Sequence, residues 1–441
     1  MTELDSPDQR PTEEPAAGGP DARPELSRRA LLGAAAAGAA GLVVGGFAVP
    51  LLTPIQPDPS GPDGSMAAVY PFSGAHQAGV TTPVQSHLDF ASFDMLDGTN
   101  RRDLVGLLRD WSHAAARMTQ GLQVGPSGAL GGDPESPPDD TGEALDLPAR
   151  GLTITIGLGP GLFELDGVDR YGIAAERPSE LEPLPPFVGD ALKAGWSEGE
   201  LAVQVCADDP QVAFHAVRNL ARIAIDRAAI RWLQLGFGRT SRTAAAQPTA
   251  RNLLGFKDGT NNILGEDQAL VDQHVWLSSA STPGWLAGGT YLVVRKIEML
   301  IEDWDREPLS SQQTIFGRSK GSGAPLSGGD EFTAPDFEAK AHGADAIDLA
   351  AHIRLAHPSN NGGIRILRRG YNYVDATHAD GRIDAGLLFI AYQRSPSQFI
   401  ALQRALVTDR LNEYIRHIGS AIFVVPPGAS EGGFVGETLL G

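Results

Sequence analysis

Cysteine is almost absent: Cys206 is the single one in 441 residues. It cannot form an intramolecular disulfide, and it excludes cysteine-rich zinc sites, cysteine-ligated iron–sulfur clusters and Cys-x-x-Cys redox chemistry. The sequence also lacks a His-x-x-x-His pair with a glutamate partner, a Gly-x-Ser-x-Gly elbow and a Walker loop. Demanding chemistry must therefore rely on histidine, carboxylates, arginine or a cofactor that these side chains hold.

Basic charge is also scarce, because 35 Lys and Arg face 54 Asp and Glu and give a net charge of −19. A nucleic-acid-binding protein needs a basic surface that displaces counterions, so we expect no nucleic-acid partner. Docking on anionic lipid is disfavoured for the same reason. The remaining composition, 42% hydrophobic and 20% charged, is typical of a globular protein long enough for two packed units.

The N-terminal residues have the pattern of an export signal. Residues 1–25 are rich in Pro, Glu, Asp and Gly and are predicted to be disordered. Arg28 and Arg29 then precede an uncharged run, from Ala30 to Leu52, that is dominated by Ala and Gly. A membrane-spanning helix is one interpretation, but the paired arginines favour a twin-arginine signal. We expect export by the twin-arginine machinery to an extracytoplasmic location, secreted or associated with the cell envelope. Retention as an N-terminal anchor stays open, since no clean A-x-A cleavage site is visible.

The following segments alternate between strand and helix patterns. "HLDFASFDML" alternates apolar and polar residues, which predicts a half-buried strand. "RDLVGLLRDWSHAAARMTQG" and "PQVAFHAVRNLARIAIDRAA" carry apolar residues at helical spacing, the first with Asn100 as its cap and Gly121 as its stop. "LTITIGLGP", "LAVQVCADD" and "IRWLQLGFG" are β-rich. The resulting order, β-α-β-β-α-β, is that of a ferredoxin-like domain.

A second, looser copy of this order follows in "TYLVVRKIEML", "DREPLSSQQTIFG", "GLLFIAYQR", "QFIALQRALV" and "SAIFVVPPG". No residue-level repeat accompanies it, so the duplication rests on element order. We predict an α+β fold of two ferredoxin-like domains, at 66–236 and 237–441. Residues 1–65 would form the disordered N-terminus, signal and linker.

Two stretches carry candidate chemistry. "GFKDGT" holds Asp258 between glycines, which by itself is also typical of a turn aspartate. "AIDLAAHIRLAHPSNNGGIRILRRGYNY" places His352 and His357 on one predicted helix; five residues apart, they point in different directions and cannot share a ligand. Arg368 and Arg369 face opposite sides of a predicted strand, so only one can point inward, where it would need an anionic or electron-rich partner.

Together, "GFKDGT", the "HIRLA-P" helix, "LRRGYNY", "DAGLLFIAYQ" and "LNEYIRHIGSAIFVVPPG" closely resemble motifs of the dye-decolourising peroxidases. The resemblance is narrower to the twin-arginine-exported branch that includes deferrochelatase/peroxidase proteins, and it covers essentially the whole chain after residue 65. It implies two ferredoxin-like domains with antiparallel sheets and haem b in the C-terminal domain.

The resemblance also implies roles for individual residues. His352 matches the proximal ligand of the haem iron, and Asp258 matches the distal carboxylate that relays a proton. Arg368 matches the distal arginine that stabilises developing charge, with Arg369 as the alternative if the register is shifted by one. Glu413 matches the carboxylate that accepts a hydrogen bond from the proximal histidine.

Further cofactor contacts are expected around these residues. Asp384 is the second choice for the carboxylate partner of the histidine. Leu387 and Phe389, two apart on a strand, resemble an apolar wall, and Arg318 is a candidate propionate partner. Within GFKDGT, Lys257 is expected to supply a structural charge or one that faces a haem propionate. The flanking glycines, including Gly259, are expected to let the backbone approach the porphyrin closely.

The function that the resemblance implies is reduction of hydrogen peroxide through a ferryl intermediate, with oxidation of bulky phenolic or dye-like electron donors. One alternative keeps the haem but assigns a deferrochelatase, which removes iron from haem for uptake. Another is a haem carrier without enzymatic activity, although a carrier has no need of Asp258 and Arg368 near the iron. The organic electron donor is unidentified, and a homo-oligomer is an open possibility.

Overall fold

The computed structural model describes residues 68–280 and 282–441. The predicted export signal and linker, residues 1–65, lie outside these ranges. Backbone contacts group the described residues into one compact unit. Within the described ranges, no helix combines the length and the hydropathy that crossing a bilayer requires.

The secondary structure is a mixture of strands and helices. In chain order the strands are β1 (His87–Met95), β2 (Thr153–Leu158), β3 (Leu201–Ala207), β4 (Ala228–Arg239), β5 (Thr290–Met299), β6 (Lys340–Ala341), β7 (Ala344–Asp345), β8 (Leu367–Arg368), β9 (Tyr371–Thr377), β10 (Ile383–Gln393) and β11 (Ile415–Val425). The helices are α1 (Arg101–Met118), α2 (Pro160–Phe163), α3 (Pro210–Ile223), α4 (Gln268–His274), α5 (Ile301–Trp304), α6 (Leu309–Phe316), α7 (His352–Ala356), α8 (Pro396–Ala405) and α9 (Glu437–Leu440). Short 3-10 turns connect several of these elements.

Eight strands close into a ring in which every pairing is antiparallel. The first half of the chain contributes the order β2-β3-β1-β4, and the second half contributes the equivalent order β9-β10-β5-β11. Pairing of β4 with β9 and of β11 with β2 joins the two halves at both edges. Closure leaves these eight strands without a free edge for pairing with another chain. The predicted α+β class with antiparallel strands is confirmed.

Strand β1 is buried on both faces, so the prediction of a half-buried strand is wrong. Leu88 and Phe90 belong to the core inside the ring, where they pack with Phe423 and its neighbours. Phe93 belongs to the core between the ring and the helices of the first half, where it contacts Trp111. The polar residues Asp89 and Ser92 are therefore buried along with the apolar ones.

The predicted helices of the first half are confirmed. Asn100 caps the start of helix α1: its side chain accepts a hydrogen bond from the backbone nitrogen of Arg102. The side chain of Asp103 accepts one from the backbone nitrogen of Asn100, which forms a capping box. Helix α3 begins at Asp209, and Pro210 occupies its first turn, where no backbone donor is required. Helix α3 packs on β1 and β3, and α1 packs on α3 and contacts β1 through Trp111 and Phe93.

The second half contains a strand that the sequence patterns did not reveal. Strand β9 (Tyr371–Thr377) is buried at its first three residues and exposed at its last four. Its pattern is weak because one end lies between β4 and β10 and the other end extends into solvent. With β9 present, the main elements of the second half repeat the β-α-β-β-α-β order of the first. The predicted strands at β5, β10 and β11 are confirmed.

The Trp111→Ala substitution tests the packing between α1 and α3. Trp111 is fully buried, and its indole nitrogen donates to the carbonyl oxygen of Leu220 at 2.8 Å. We expect the free energy of unfolding to fall by about 3–5 kcal/mol, because the substitution leaves a cavity and an unpaired carbonyl group. Urea denaturation followed by circular dichroism measures this change. Arg102→Ala, on the exposed face of the same helix, is the control and should change it by less than about 0.5 kcal/mol; equal losses in both variants would contradict the packing argument.

Candidate active site

A large cavity lies in the second half of the chain. It encloses about 1590 Å³ of atom-free space including its mouth, and every residue that lines it falls between Asn252 and His417. Its walls are largely apolar and include Ile297, Phe316, Ile353, Leu387, Phe389 and Phe399. Leu387 and Phe389 thus lie on a cavity wall, as the strand spacing indicated.

His352 is the first residue of α7, and a buried carboxylate orients its ring. The Nδ1 atom of His352 lies 2.6 Å from Oδ2 of Asp409, which is only 5% exposed. The second oxygen of Asp409 accepts from the backbone of Leu411 at 2.9 Å, so both of its oxygens are bonded. Burial disfavours a charged imidazole, but the Asp409 carboxylate outweighs burial and raises the pKa of His352. With Nδ1 engaged, Nε2 is the ring nitrogen left for a ligand.

The prediction that Glu413 partners His352 is wrong, since Asp409 occupies that position. Both residues flank the same 3-10 turn (Arg410–Glu413), but Asp409 caps its buried start, whereas Glu413 ends it with an exposed side chain. The second choice, Asp384, is also wrong. It lies on β10 beside Glu298 and His378, outside the cavity lining.

The prediction that His352 and His357 share one helix is wrong as well. Helix α7 ends at Ala356, and His357 is extended, with φ −72° and ψ 138°. The following residue, Pro358, disfavours a helical conformation at the position before it. The Nδ1 atom of His357 accepts from the backbone of Ser359 at 3.2 Å and caps the next short turn. His357 lines the cavity, but this nitrogen is committed to the cap.

Asp258 and Arg368 form an ion pair on the cavity surface. The Nη1 atom of Arg368 donates to Oδ1 of Asp258 at 2.6 Å. The side chain of Arg368 is 26% exposed and that of Asp258 is 16% exposed, and both residues line the cavity. The ion pair lies close enough to His352 to influence its imidazole: the charge of Asp258 raises the pKa of His352, and the charge of Arg368 lowers it.

The glycines of GFKDGT are required by the loop itself. Gly255 and Gly259 have φ values of +84° and +89°, which residues with a β-carbon rarely adopt. A β-carbon at Gly259 would lie 2.8 Å from Cα of Ser241, and one at Gly255 would lie 2.7 Å from Cε of Lys320. These contacts are enough to explain why both positions are glycine, even with no ligand bound. The close approach of the two glycines to a porphyrin stays a prediction.

Arg369 points away from the cavity, as expected for the residue beside Arg368 on a strand. Its side chain is fully buried and donates to the carbonyl oxygens of Val80 and Thr82 and, at 2.9 Å, to the side chain of Gln85. Arg369 therefore joins β8 to the segment that precedes β1. This is a structural role, and it leaves Arg368 as the arginine of the site.

Lys257 and Arg318 both converge on Glu331 at the cavity. Lys257 forms an ion pair with the Glu331 carboxylate. Arg318 donates to the backbone carbonyl oxygens of Gly323 and Glu331 at 2.6 and 3.0 Å. Burial opposes ionisation of Glu331, but its hydrogen bond with Lys257 helps to lower its pKa. The charge of Lys257 is thus largely balanced within the protein, while Arg318 is held rigidly in the cavity wall.

Asn262 is a residue of the site that the sequence reasoning missed. Its Oδ1 accepts from the backbone nitrogen of Arg368 at 2.8 Å, and its Nδ2 donates to the carbonyl oxygens of Arg368 and Arg242 at 2.9 and 2.8 Å. The amide group therefore fixes the backbone of Arg368 to the loop that carries Asp258. The polar pair Asn261-Asn262 indicated a turn in the sequence, and it contained no signal for this contact.

His417 is a second cavity residue that the sequence left unassigned. It lies on β11 beside Arg295, whose guanidinium pairs with Asp190. Burial and, secondarily, the charge of Arg295 lower the pKa of His417 to about 4. His417 is therefore neutral at physiological pH and adds a polar but uncharged group to the wall.

Comparisons with known proteins agree with this site. Residues 77–238 match the N-terminal family and residues 249–430 the C-terminal family of Dyp-type peroxidases. A deferrochelatase of Escherichia coli (strain K12) is 36% identical over 377 residues, which cover 84% of this chain and 87% of that protein. A DyP-type peroxidase structure from Streptomyces coelicolor is 39% identical with a TM-score of 0.78, covering 85% of this chain and 98% of that one. Ferric DtpA from Streptomyces lividans is also 39% identical, with a TM-score of 0.77 and coverage of 85% and 98%. The family expected from the motifs is confirmed: the chain is an enzyme of the Dyp-type peroxidase family.

Proposed function

We propose that the protein is a haem-dependent peroxidase that reduces hydrogen peroxide and oxidises bulky phenolic or dye-like donors. The observation that carries this proposal is the convergence on one cavity of a carboxylate-backed histidine, His352 with Asp409, and the Asp258–Arg368 ion pair. A cavity that served only for storage would not require the second pair.

The residues of the cavity fit haem b. A flat apolar macrocycle suits the largely apolar walls of the cavity. The free Nε2 of His352 is the nitrogen that would hold the iron, and Asp409 would increase the basicity of that ligand through Nδ1. Arg318, rigid in the wall, is the cation that would pair with a propionate. The ferric state of the related DtpA supports an iron centre in this family.

Asp258 is the residue that we propose moves the proton. Bound haem would supply the iron and the electrons for reducing peroxide. The Asp258 carboxylate would accept a proton from one peroxide oxygen and return it to the other, which leaves as water. The backbone nitrogen of Asp258 donates to the carbonyl oxygen of Ala250 at 2.9 Å, which helps to hold the carboxylate in position.

Arg368 is the residue that we propose stabilises charge. As the O–O bond breaks, negative charge develops on the departing oxygen, and a fixed guanidinium in a water-poor site stabilises it strongly. Asn262 holds the backbone of Arg368 with two hydrogen bonds and that of Arg242 with a third. The guanidinium therefore needs little reorganisation during the reaction, and Asn262 acts as a positioning residue.

Release of iron from haem is a second candidate function. The support for it is the name deferrochelatase, which the Escherichia coli relative carries at 36% identity. In that reaction two protons replace the iron and the porphyrin stays intact, so metal-free porphyrin fluorescence would identify it. The Asp258–Arg368 pair favours peroxide reduction, because it supplies a proton relay and a charge stabiliser to a peroxide oxygen.

The proposal also includes the domain organisation and the route of export. The repeated strand order of the two halves supports two ferredoxin-like domains. The paired arginines Arg28 and Arg29, ahead of an uncharged run, support export by the twin-arginine machinery to an extracytoplasmic location. That route carries folded proteins, so haem would be bound before export.

Substitution of the proposed iron ligand tests the cofactor. We expect His352→Ala to be purified with little haem, because the iron loses the protein nitrogen that binds it. The ratio of Soret absorbance to protein absorbance measures this loss. His357→Ala is the control and should retain the wild-type ratio, since His357 caps a turn through Nδ1. If His357→Ala lost its haem while His352→Ala kept it, the assignment would be reversed.

Asp258→Asn and Arg368→Leu test the peroxide chemistry. We expect Asp258→Asn to lower kcat/KM for hydrogen peroxide by about 10²–10⁴ and Arg368→Leu to lower it by about 10²–10³. Oxidation of a phenolic reporter at varied peroxide concentration measures both, with haem content as the correction. Arg365→Leu, at an arginine that also lines the cavity, serves as the control and should have a smaller effect. Wild-type rates in both Asp258→Asn and Arg368→Leu would refute the proposed roles.

Asp409→Asn tests the carboxylate behind the histidine. The amide oxygen can still accept hydrogen bonds, but the negative charge that makes His352 more basic is removed. We expect haem affinity or peroxidase activity to fall about 10–100-fold, as measured by haem titration and steady-state kinetics. Glu413→Gln changes the other acidic residue of the same turn and should leave both quantities unchanged. The reverse ranking of the two variants would show that Asp409 has no such role.

A further inference from the structure

A second cluster of ligating side chains lies on the opposite face of the sheet from the cavity. Ile297 and Met299 line the cavity, so Glu298 between them on β5 projects from the other face. There it meets Asp384 of β10 and His378, the first residue after β9. One ligand atom from each of the three lies within 4.8 Å of the others, and Nε2 of His378 is 2.8 Å from Oε1 of Glu298.

The backbone holds these three residues in place. Glu298 is paired with Gly386 across β5 and β10, two residues from Asp384. His378 and Arg382 close the hairpin between β9 and β10 through a backbone hydrogen bond of 2.7 Å. His378 and Asp384 therefore sit on the two arms of one tight hairpin, and Glu298 sits on the strand beside it.

Two polar atoms at this cluster are buried without a hydrogen-bond partner among the described residues. One is Oδ1 of Asp384, and the other is the hydroxyl of Tyr373, whose side chain is fully buried. Tyr373 of β9 and Glu298 of β5 both pair with Gly386 of β10, so their side chains project from the same face of the sheet. Burial and then the nearby carboxylates of Asp384, Asp375 and Glu298 raise the pKa of the Tyr373 phenol. Buried polar atoms are rarely unpaired in native proteins, and such atoms often mark an ion or water that completes the site.

The nearby lysine does not satisfy these groups. The ammonium of Lys296 pairs with Asp375 at 2.6 Å and lies 3.2 Å from the centre of the Trp196 ring. It also lies 4.6 Å from the centre of the Tyr373 ring, and the charge of Asp384 acts on it, but it forms no hydrogen bond with Oδ1 of Asp384 or with the Tyr373 hydroxyl. The cluster at Glu298 and Asp384 is therefore acidic, with His378 as its one nitrogen ligand.

We propose that Glu298, His378 and Asp384 bind a first-row divalent metal ion, with the Tyr373 hydroxyl beside it. One imidazole and two carboxylates form a donor set that Zn²⁺ and its neighbours in the series accept. Bonds of about 2.1 Å allow two ligand atoms to be at most roughly 4.2 Å apart. The present separations need only a small inward rotation of side chains to meet that limit.

The ion would link the β9–β10 hairpin to β5. Glu298 belongs to β5, while His378 and Asp384 belong to the hairpin, so coordination joins three neighbouring strands of the ring. The same strands, β5 and β10, carry the cavity wall on their other face. Metal binding at this cluster would therefore stabilise the folded ring, and it is independent of the role that we propose for the cavity.

Zinc binding to the haem-loaded, full-length protein tests this proposal. Equilibrium dialysis against Zn²⁺ at pH 7, with zinc counted by elemental analysis, should show one site per chain that His378→Asn and Asp384→Asn each weaken by about tenfold or more. Asp380→Asn is the matched control, because Asp380 is exposed on the same hairpin and pairs with Arg382. The control should bind Zn²⁺ with wild-type affinity.

Thermal unfolding gives a second readout. An ion that binds only the folded state raises Tm, so Zn²⁺ should raise the Tm of the wild type and of Asp380→Asn but not that of His378→Asn. Wild-type zinc affinity in His378→Asn and Asp384→Asn would overturn the proposal. A loss of affinity in Asp380→Asn as large as theirs, or no zinc-dependent rise in the Tm of the wild type, would also overturn it.

Discussion

Closure of the eight-stranded ring is the constraint on which the rest of the structure depends. Each half of the chain supplies four strands, and the halves meet where β4 pairs with β9 and β11 pairs with β2. Strands β5 and β10 pair directly with each other, and one face of this pair lines the cavity. The cavity is formed by the second half alone, but the strands that support it are held in position by the first half.

Each charged group at the cavity is fixed by a partner that the protein provides. Asp409 holds His352, Asp258 holds Arg368, and Glu331 holds Lys257. A buried charge without a partner would be strongly destabilising, so this pairing is what allows ionised side chains to line a largely apolar space. The same pairing orients the reactive groups before any substrate binds, which reduces the reorganisation that catalysis requires.

The sequence predicted the position of a side chain correctly where that position depended on a single strand or helix. Because side chains alternate along a strand, the sequence predicted that Arg368 and Arg369 point in opposite directions, and the structure has them on opposite faces. The sequence did not predict a contact correctly where that contact depended on a segment far away in the chain. Asp409 and Glu413 flank the same turn, and only the packing of that turn against α7 decides which carboxylate reaches His352.

The sequence by itself determined the α+β class, most of the strands and helices, the Dyp-type peroxidase family, and the two stretches that carry His352, Asp258 and Arg368. Periodicity, capping residues and motifs are local properties, so one chain is enough to read them. Only the tertiary structure decided that the strands close into a ring, that β9 completes it, and that Asp409 and Asn262 position the site. These features depend on contacts between residues far apart in the chain, and a hydrogen bond is formed only where the fold brings its donor and acceptor within about 3 Å.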